Sequence, residues 1–157
     1  MQQDFRARPT MQAMARASFL LRYLWAAPYT VLGLSLGALA VLFGATARRH
    51  HGVVEVFGGR IGAGLARLPE PLRFSAMTLG HVILAVDRSA LSQLRLHEHV
   101  HVRQYERWGP AFVPAYLLSS LLQLLRGRNP YRENHFERQA YAVVDARRRG
   151  SGRIPHG

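Results

Sequence analysis

The chain contains no cysteine and no lysine, and it sets only nine acidic residues against 21 arginines. Without cysteine there is no disulfide, no thiolate ligand for a metal and no thiol nucleophile. Any metal must therefore be held by histidine and carboxylate. Without lysine there is no Schiff-base amine and no P-loop lysine. The shortage of acid leaves a formal net charge of +12 and a pI near 11.5, which points to an anionic partner, either nucleic acid or lipid. The arginines are scattered and accompany no nucleic-acid-binding motif, so nucleic acid is disfavoured. Membrane lipid accounts for the charge as well once a hydrophobic segment is present.

Such a segment is present. No charged residue occurs from Leu24 to Ala47. As a helix the run covers about 36 Å, enough for a hydrocarbon core of about 30 Å. Trp25 and Tyr29 sit near one end, as interfacial aromatics do. The expected organisation is a basic tail over 1–23, a transmembrane helix over 24–47, a compact domain over 52–149 and a flexible tail over 150–157. Gly33 and Gly37 form a small-xxx-small pair able to pack on another helix. A signal peptide cleaved at Ala45-Thr46-Ala47 and a buried soluble helix are the alternatives. Arg6, Arg8, Arg16 and Arg22 before the span balance Arg48, Arg49, Arg60 and Arg67 after it, so orientation stays open.

Within the domain, Val53–Phe57 reads as a strand ended by Gly58-Gly59, and Arg73–Met77 as a second. The segment between them, Ile61–Leu68, reads as a helical turn or loop. Leu79–Val86 is the most apolar strand candidate. Asp87 or Ser89 caps a helix over about 90–108, closed by Gly109-Pro110. Ala90, Leu94, His97, His101, Tyr105 and Trp108 share one stripe of that helix. Phe112–Leu125 is too short to span comfortably, and suits either a core helix or one lying against the bilayer. A last helix, from Tyr131 or Glu133 to Arg149, carries Phe136, Glu137, Ala140 and Tyr141 on its apolar face.

The chemistry concentrates at His97-Glu98-His99-Val100-His101. On a helix, positions four apart share a face, so His97 and His101 can bind one Zn²⁺. Glu98 falls beside them, placed to act on a water, while His99 points away. His50, His51 and His99 read as solvated or packing residues. Glu137, on the inward face of a later helix, fits a third ligand. An ion-pair role, to Arg103 for instance, is its structural alternative.

His97-Glu98-x-x-His101 on one helix and Glu137-x-x-Ala140 on a second resemble the gluzincin zinc metallopeptidases. The segments 79–84, 97–110 and 134–141 are similar to compact bacterial proteins with a minimal zincin core. The resemblance covers about residues 52–146. It implies an α+β fold, with a small antiparallel sheet packed on the His97-bearing helix and the Glu137-bearing helix. The transmembrane helix that the apolar run predicts precedes this fold, lies outside the resemblance, and places the chain at a bacterial inner membrane. It implies His97, His101 and Glu137 as Zn²⁺ ligands, Glu98 as general base, and hydrolysis of a peptide or protein substrate. It also implies an edge strand over Leu79–Leu84 that pairs with the substrate backbone. The neighbours of Glu137, namely Asn134, His135 and Arg138, depart from the acidic residues usual there. Tyr131, Tyr141, His81 and His135 are the candidates for oxyanion stabilisation, and Gln104 and Glu106 for fixing the histidine tautomers. A non-catalytic metal-binding membrane protein is the alternative.

Overall fold

The structure, a computed structural model, describes residues 11–67 and 74–151, with side chains from 21 to 67 and from 74 to 150. Residues 1–10 and 152–157 of the expected tails lie outside the described residues, whereas 11–23 of the expected N-terminal tail belong to a helix. Helix α1 runs Met11–Leu42, followed by β1 Thr46–His50, β2 Val53–Phe57, α2 Gly59–Leu65, β3 Ala76–Leu79 and β4 Val82–Ala85. Three further helices complete the chain: α3 Arg88–Trp108, α4 Phe112–Leu125 and α5 His135–Ser151, with a 3-10 turn at Gly109–Ala111 between α3 and α4.

The four strands form one sheet in the order β1-β2-β4-β3. The hairpins β1–β2 and β3–β4 are antiparallel, but β2 and β4 run parallel. The sheet is thus mixed, not antiparallel as expected, because α2 and the segment after it carry the chain across before it returns as β3. Pleating sends alternate side chains to opposite faces. Val53, Ile83 and Ala85 form a core with Leu91 and Val102 of α3, whereas Val56, Val82 and Leu84 meet α1. Thus α1 covers one face of the sheet and α3 the other, with α5 packed on α3, and α1 also meets α3 directly at Ala26 and Tyr105.

Two sequence boundaries move. The apolar run reads as one helix to Ala47, but α1 stops at Leu42, Gly44 takes φ +86° and β1 begins at Thr46. The cause is a hairpin: His51 (φ 48°) and Gly52 (φ 81°) make a two-residue turn that pairs Arg48-Arg49-His50 with β2, as primed turns do. Likewise Leu79–Val86 is not one strand. Gly80 adopts φ +59° and turns the chain between β3 and β4. A Cβ at Gly80 would collide with Thr30 of α1.

The long apolar helix is not separate from the domain. A Cβ at Gly33 would lie 2.8 Å from Val82 Cβ, and one at Gly37 would lie 3.1 Å from Val56 Cγ2. The glycine pair therefore lets a helix lie on a sheet, not on another helix. Tyr23 donates to Gly52 O at 3.0 Å, and Ala26 is packed with Tyr105, Phe112 and Phe136. Trp25 lies over Gly109 with half of its surface still exposed, and Tyr29 OH donates to Pro110 O at 3.4 Å, so both aromatics touch the turn that follows the metal-motif helix. Outward, Leu24, Val31, Leu32, Leu39 and Leu42 are exposed. Two helical stretches, Leu21–Leu42 and Arg88–Leu125, are long and apolar enough to cross a membrane.

Candidate metal centre

Helix α3 is fixed at both ends by local chemistry. Asp87 Oδ1 accepts from Ala90 N at 2.8 Å, the side-chain cap the sequence suggests. At the other end Gly109 takes φ +53°, a conformation that favours glycine. Between these ends His97, Glu98, His101, Gln104 and Tyr105 are buried. Of the expected stripe, Ala90 and Leu94 are half-buried and Trp108 is exposed.

Helix α5 starts where Asn134 Oδ1 accepts from Phe136 N at 2.9 Å. The buried Asn134 amide donates to Tyr116 O at 2.9 Å and to Ser120 Oγ at 2.7 Å, which ties α5 to α4. Phe136, Glu137 and Ala140 then face inward, buried. Ala140, fully buried on the face shared with Glu137, offers only a methyl group where the two helices meet.

These two helices bring His97, His101 and Glu137 into one buried cluster. The two Nε2 atoms lie 3.1 Å apart. His97 Nε2 is 3.0 Å from Glu137 Oε2, and His101 Nε2 is 3.3 Å from Glu137 Oε1. A tetrahedral cation with bonds of about 2.0–2.1 Å holds its ligand atoms about 3.3 Å apart. Glu137 Oε2 is shielded from solvent, yet His97 Nε2 approaches it without hydrogen-bond alignment. Three side chains converging in this way, each imidazole on a different oxygen of the carboxylate, fit a shared cation, and the group could hold a metal ion.

The surroundings orient the cluster. Gln104 Nε2 donates to Phe136 O at 3.1 Å, which turns Gln104 Oε1 toward His101 Nδ1 at 2.8 Å. An amide oxygen only accepts, so His101 carries its proton on Nδ1 and offers the Nε2 lone pair to a metal. Burial disfavours the charged form of His101, but hydrogen bonding and charge from Glu137 outweigh it and raise its pKa in the metal-free protein. Burial likewise pushes Glu137 up, but the imidazoles of His101 and His97 beside it prevail and hold it at about 2. Glu137 Oε1 also accepts from Tyr116 OH at 2.8 Å. Arg103 is exposed, and the charged partners that the described residues give Glu137 are His97 and His101.

Glu98 is 4% exposed, and its Oε2 accepts from Thr78 Oγ1 of β3 at 2.7 Å. Burial raises its pKa, against the pull of His101, Thr78 and His97. Beside it opens a cleft of about 390 Å³, lined by β3, by Glu98, His101 and Glu137, and by Phe112, Val113 and Tyr116 of α4. Strand β3 is the last in the sheet, so its outer edge is unpaired in it. The strand over the cleft is therefore Ala76–Leu79 and not Leu79–Leu84, because β4 is an interior strand paired on both sides.

The remaining candidates separate. Tyr131 lines the cleft. The Tyr141 ring packs 4.8 Å from that of His97. His81 lies elsewhere, stacked on Tyr23 at 3.8 Å with Nε2 3.3 Å from Glu106, so Glu106 fixes neither cluster histidine. His135 is exposed and bonds Gln139 at 2.8 Å. Thr78 and Tyr116 gave no signal in the sequence, since each reaches the site only through strand or helix packing.

A second group, His50, Glu55 and His99, also gathers three potential ligands. Glu55 is fully buried, but Arg48 Nε at 2.7 Å and Arg95 Nε at 2.8 Å already bind it. Two guanidinium groups leave no negative charge for a cation. No protein-family model, no curated protein and no solved structure matches this chain.

Proposed function

We propose that the protein is a membrane-associated, zinc-dependent metallopeptidase of gluzincin type. The observation that carries this reading is the convergence of His97, His101 and Glu137 beside Glu98, at a cleft bordered by a free strand edge. Two imidazoles and one carboxylate suit Zn²⁺ and leave a position for water. When bound, the ion supplies Lewis acidity toward a water and the scissile carbonyl.

The chain's own groups do the rest. Thr78 holds one oxygen of Glu98, leaving Oε1 to accept the water's proton. Its raised pKa suits a group that must retain a proton and deliver it to the leaving amine. Gln104 keeps His101 in the ligating tautomer. The outer edge of β3 offers backbone donors and acceptors to an extended substrate. Burial keeps the phenols of Tyr116 and Tyr131 neutral. Tyr131 lines the cleft with its phenol hydrogen-bonded to Tyr141, whereas that of Tyr116 is bound to the carboxylate of Glu137, so the proposed oxyanion donor is Tyr131. The outward leucines of α1 support a place at the bacterial inner membrane, with the helix seated by its outer face.

The test is Glu98→Gln. It should retain one zinc per chain while peptide hydrolysis falls by about 10²–10⁴-fold. Wild-type turnover in that variant would sink the assignment. The rival reading, a metal-binding protein without turnover, draws on the short chain, which leaves little to build a substrate cleft. Wild-type protein that binds zinc and cleaves no member of a peptide library would favour it.

A further inference from the structure

Helix α4 is inside-out. Its polar side chains face the protein: Ser119 Oγ accepts from His135 N at 2.9 Å, Ser120 Oγ accepts from Asn134 Nδ2 at 2.7 Å, and Tyr116 OH donates to Glu137. Its leucines at 117, 118, 121, 122, 124 and 125 face outward and are exposed, the last by 75%. A helix at a water surface shows the reverse arrangement. A contiguous apolar patch of this kind marks an interaction face.

Length and charge identify what covers it. Gly109 (φ +53°) breaks the stretch Arg88–Leu125 between α3 and α4, and the fourteen residues of α4 alone extend about 21 Å, too short to cross a hydrocarbon core of about 30 Å. The helix therefore suits the plane of an interface. Immediately after it come Arg126 and Arg128, followed by Arg132, all exposed. Guanidinium groups beside an apolar face match acyl chains below and anionic phosphates above. The turn that precedes α4 is itself held to α1, where Tyr29 OH donates to Pro110 O.

We propose that α4 lies in the plane of an anionic bilayer, its leucines among the acyl chains and Arg126, Arg128 and Arg132 at the phosphates. Because Phe112, Val113 and Tyr116 of the same helix wall the metal cleft, the cleft then opens at the lipid surface. The proposal rests on the membrane-associated reading above and extends it to a second element and a lipid charge.

The absence of cysteine permits a direct test. Single cysteines replace Leu118, Leu121 or Leu125 on α4, Val31 on α1, and Asp145 on α5, each carrying one nitroxide. The full chain is incorporated into phosphatidylcholine vesicles with or without phosphatidylglycerol. With phosphatidylglycerol, the α4 labels should gain oxygen accessibility and lose access to a water-soluble nickel reagent, each several-fold. The label at Asp145 should stay aqueous. R126S/R128S/R132S should return the α4 labels toward water. Aqueous α4 labels with a lipid-exposed Val31 label would overturn the proposal and leave the membrane reading standing. Aqueous labels at both sites would overturn both. Depth indifferent to phosphatidylglycerol, or α4 labels shielded by self-association without lipid, would also defeat it. The readout requires neither zinc nor hydrolysis, so it is independent of the peptidase assignment.

Discussion

Two clusters of two histidines and one glutamate draw on the same helix and differ in what surrounds the carboxylate. At His97, His101 and Glu137 the carboxylate faces two buried imidazoles and a half-buried phenol. At His50, Glu55 and His99 it faces Arg48 and Arg95. The consequence appears in the histidines. Glu137 raises His101 against burial. Burial lowers His99, and although Glu55 pulls the other way, His50, His51 and Arg103 add to the lowering. Ligand identity and spacing are thus not enough for a cation site. The charge left over after the protein's own pairing decides.

The sharpest way to break this comparison is to remove one histidine from each cluster. His97→Ala should take zinc stoichiometry from one per chain to none, while His99→Ala should leave it at one, by metal analysis after dialysis. Retention of zinc by His97→Ala, or its loss from His99→Ala, would reverse the assignment of the two clusters. A smaller effect is expected from Gln104→Leu, which removes the acceptor for His101 Nδ1. Zinc affinity should weaken about 10–100-fold in a chelator competition, with stoichiometry unchanged at saturating metal.

Glu55→Gln tests the other cluster. It leaves Arg48 and Arg95 without their buried counter-charge, and both are partly exposed. Stability should fall by about 2–3 kcal/mol in denaturant titration, toward the low end for a broken buried pair, with zinc content unaltered.

The smallest effect is in pH. His101 is raised in the metal-free protein, so its contribution is full below its ordinary 6.5 and is lost as pH rises through the folded value. Glu137 is depressed, so its contribution is present above 4.5 and is lost as pH falls through about 2. His99 behaves oppositely to His101: its contribution is present above 6.5 and lost as pH falls through its folded value. Ring-proton titrations should therefore move to opposite sides of 6.5. Zinc must displace the proton on His101, so affinity should rise with pH through that group's folded value.

Much of the site was legible in the sequence because it lies on helices. His97, Glu98 and His101 are placed by helical periodicity alone, and Glu137 by the apolar stripe around it. Asp87 and Gly109 marked the ends of α3 as capping chemistry requires. The edge strand was misplaced because Gly80 adds a turn within an unbroken apolar run, and apolar alternation does not distinguish one strand from a tight hairpin. Strand β1 escaped notice because Arg48, Arg49 and His50 carry no strand pattern, and only their register against β2 defines it.

The sequence by itself determined the helix that carries His97 and His101, the helix that carries Glu137, the exclusion of thiolate ligands and the long apolar segment. Each follows from local periodicity or from composition, which need no distant partner. Only the tertiary structure decided that the apolar segment lies on the sheet through Gly33 and Gly37, that Thr78 holds Glu98, and that Glu55 is neutralised by arginines from β1 and α3. It also decided that the polar residues of α4 face inward and its leucines outward. These depend on which faces meet across residues far apart in sequence, and close packing rather than local propensity selects them.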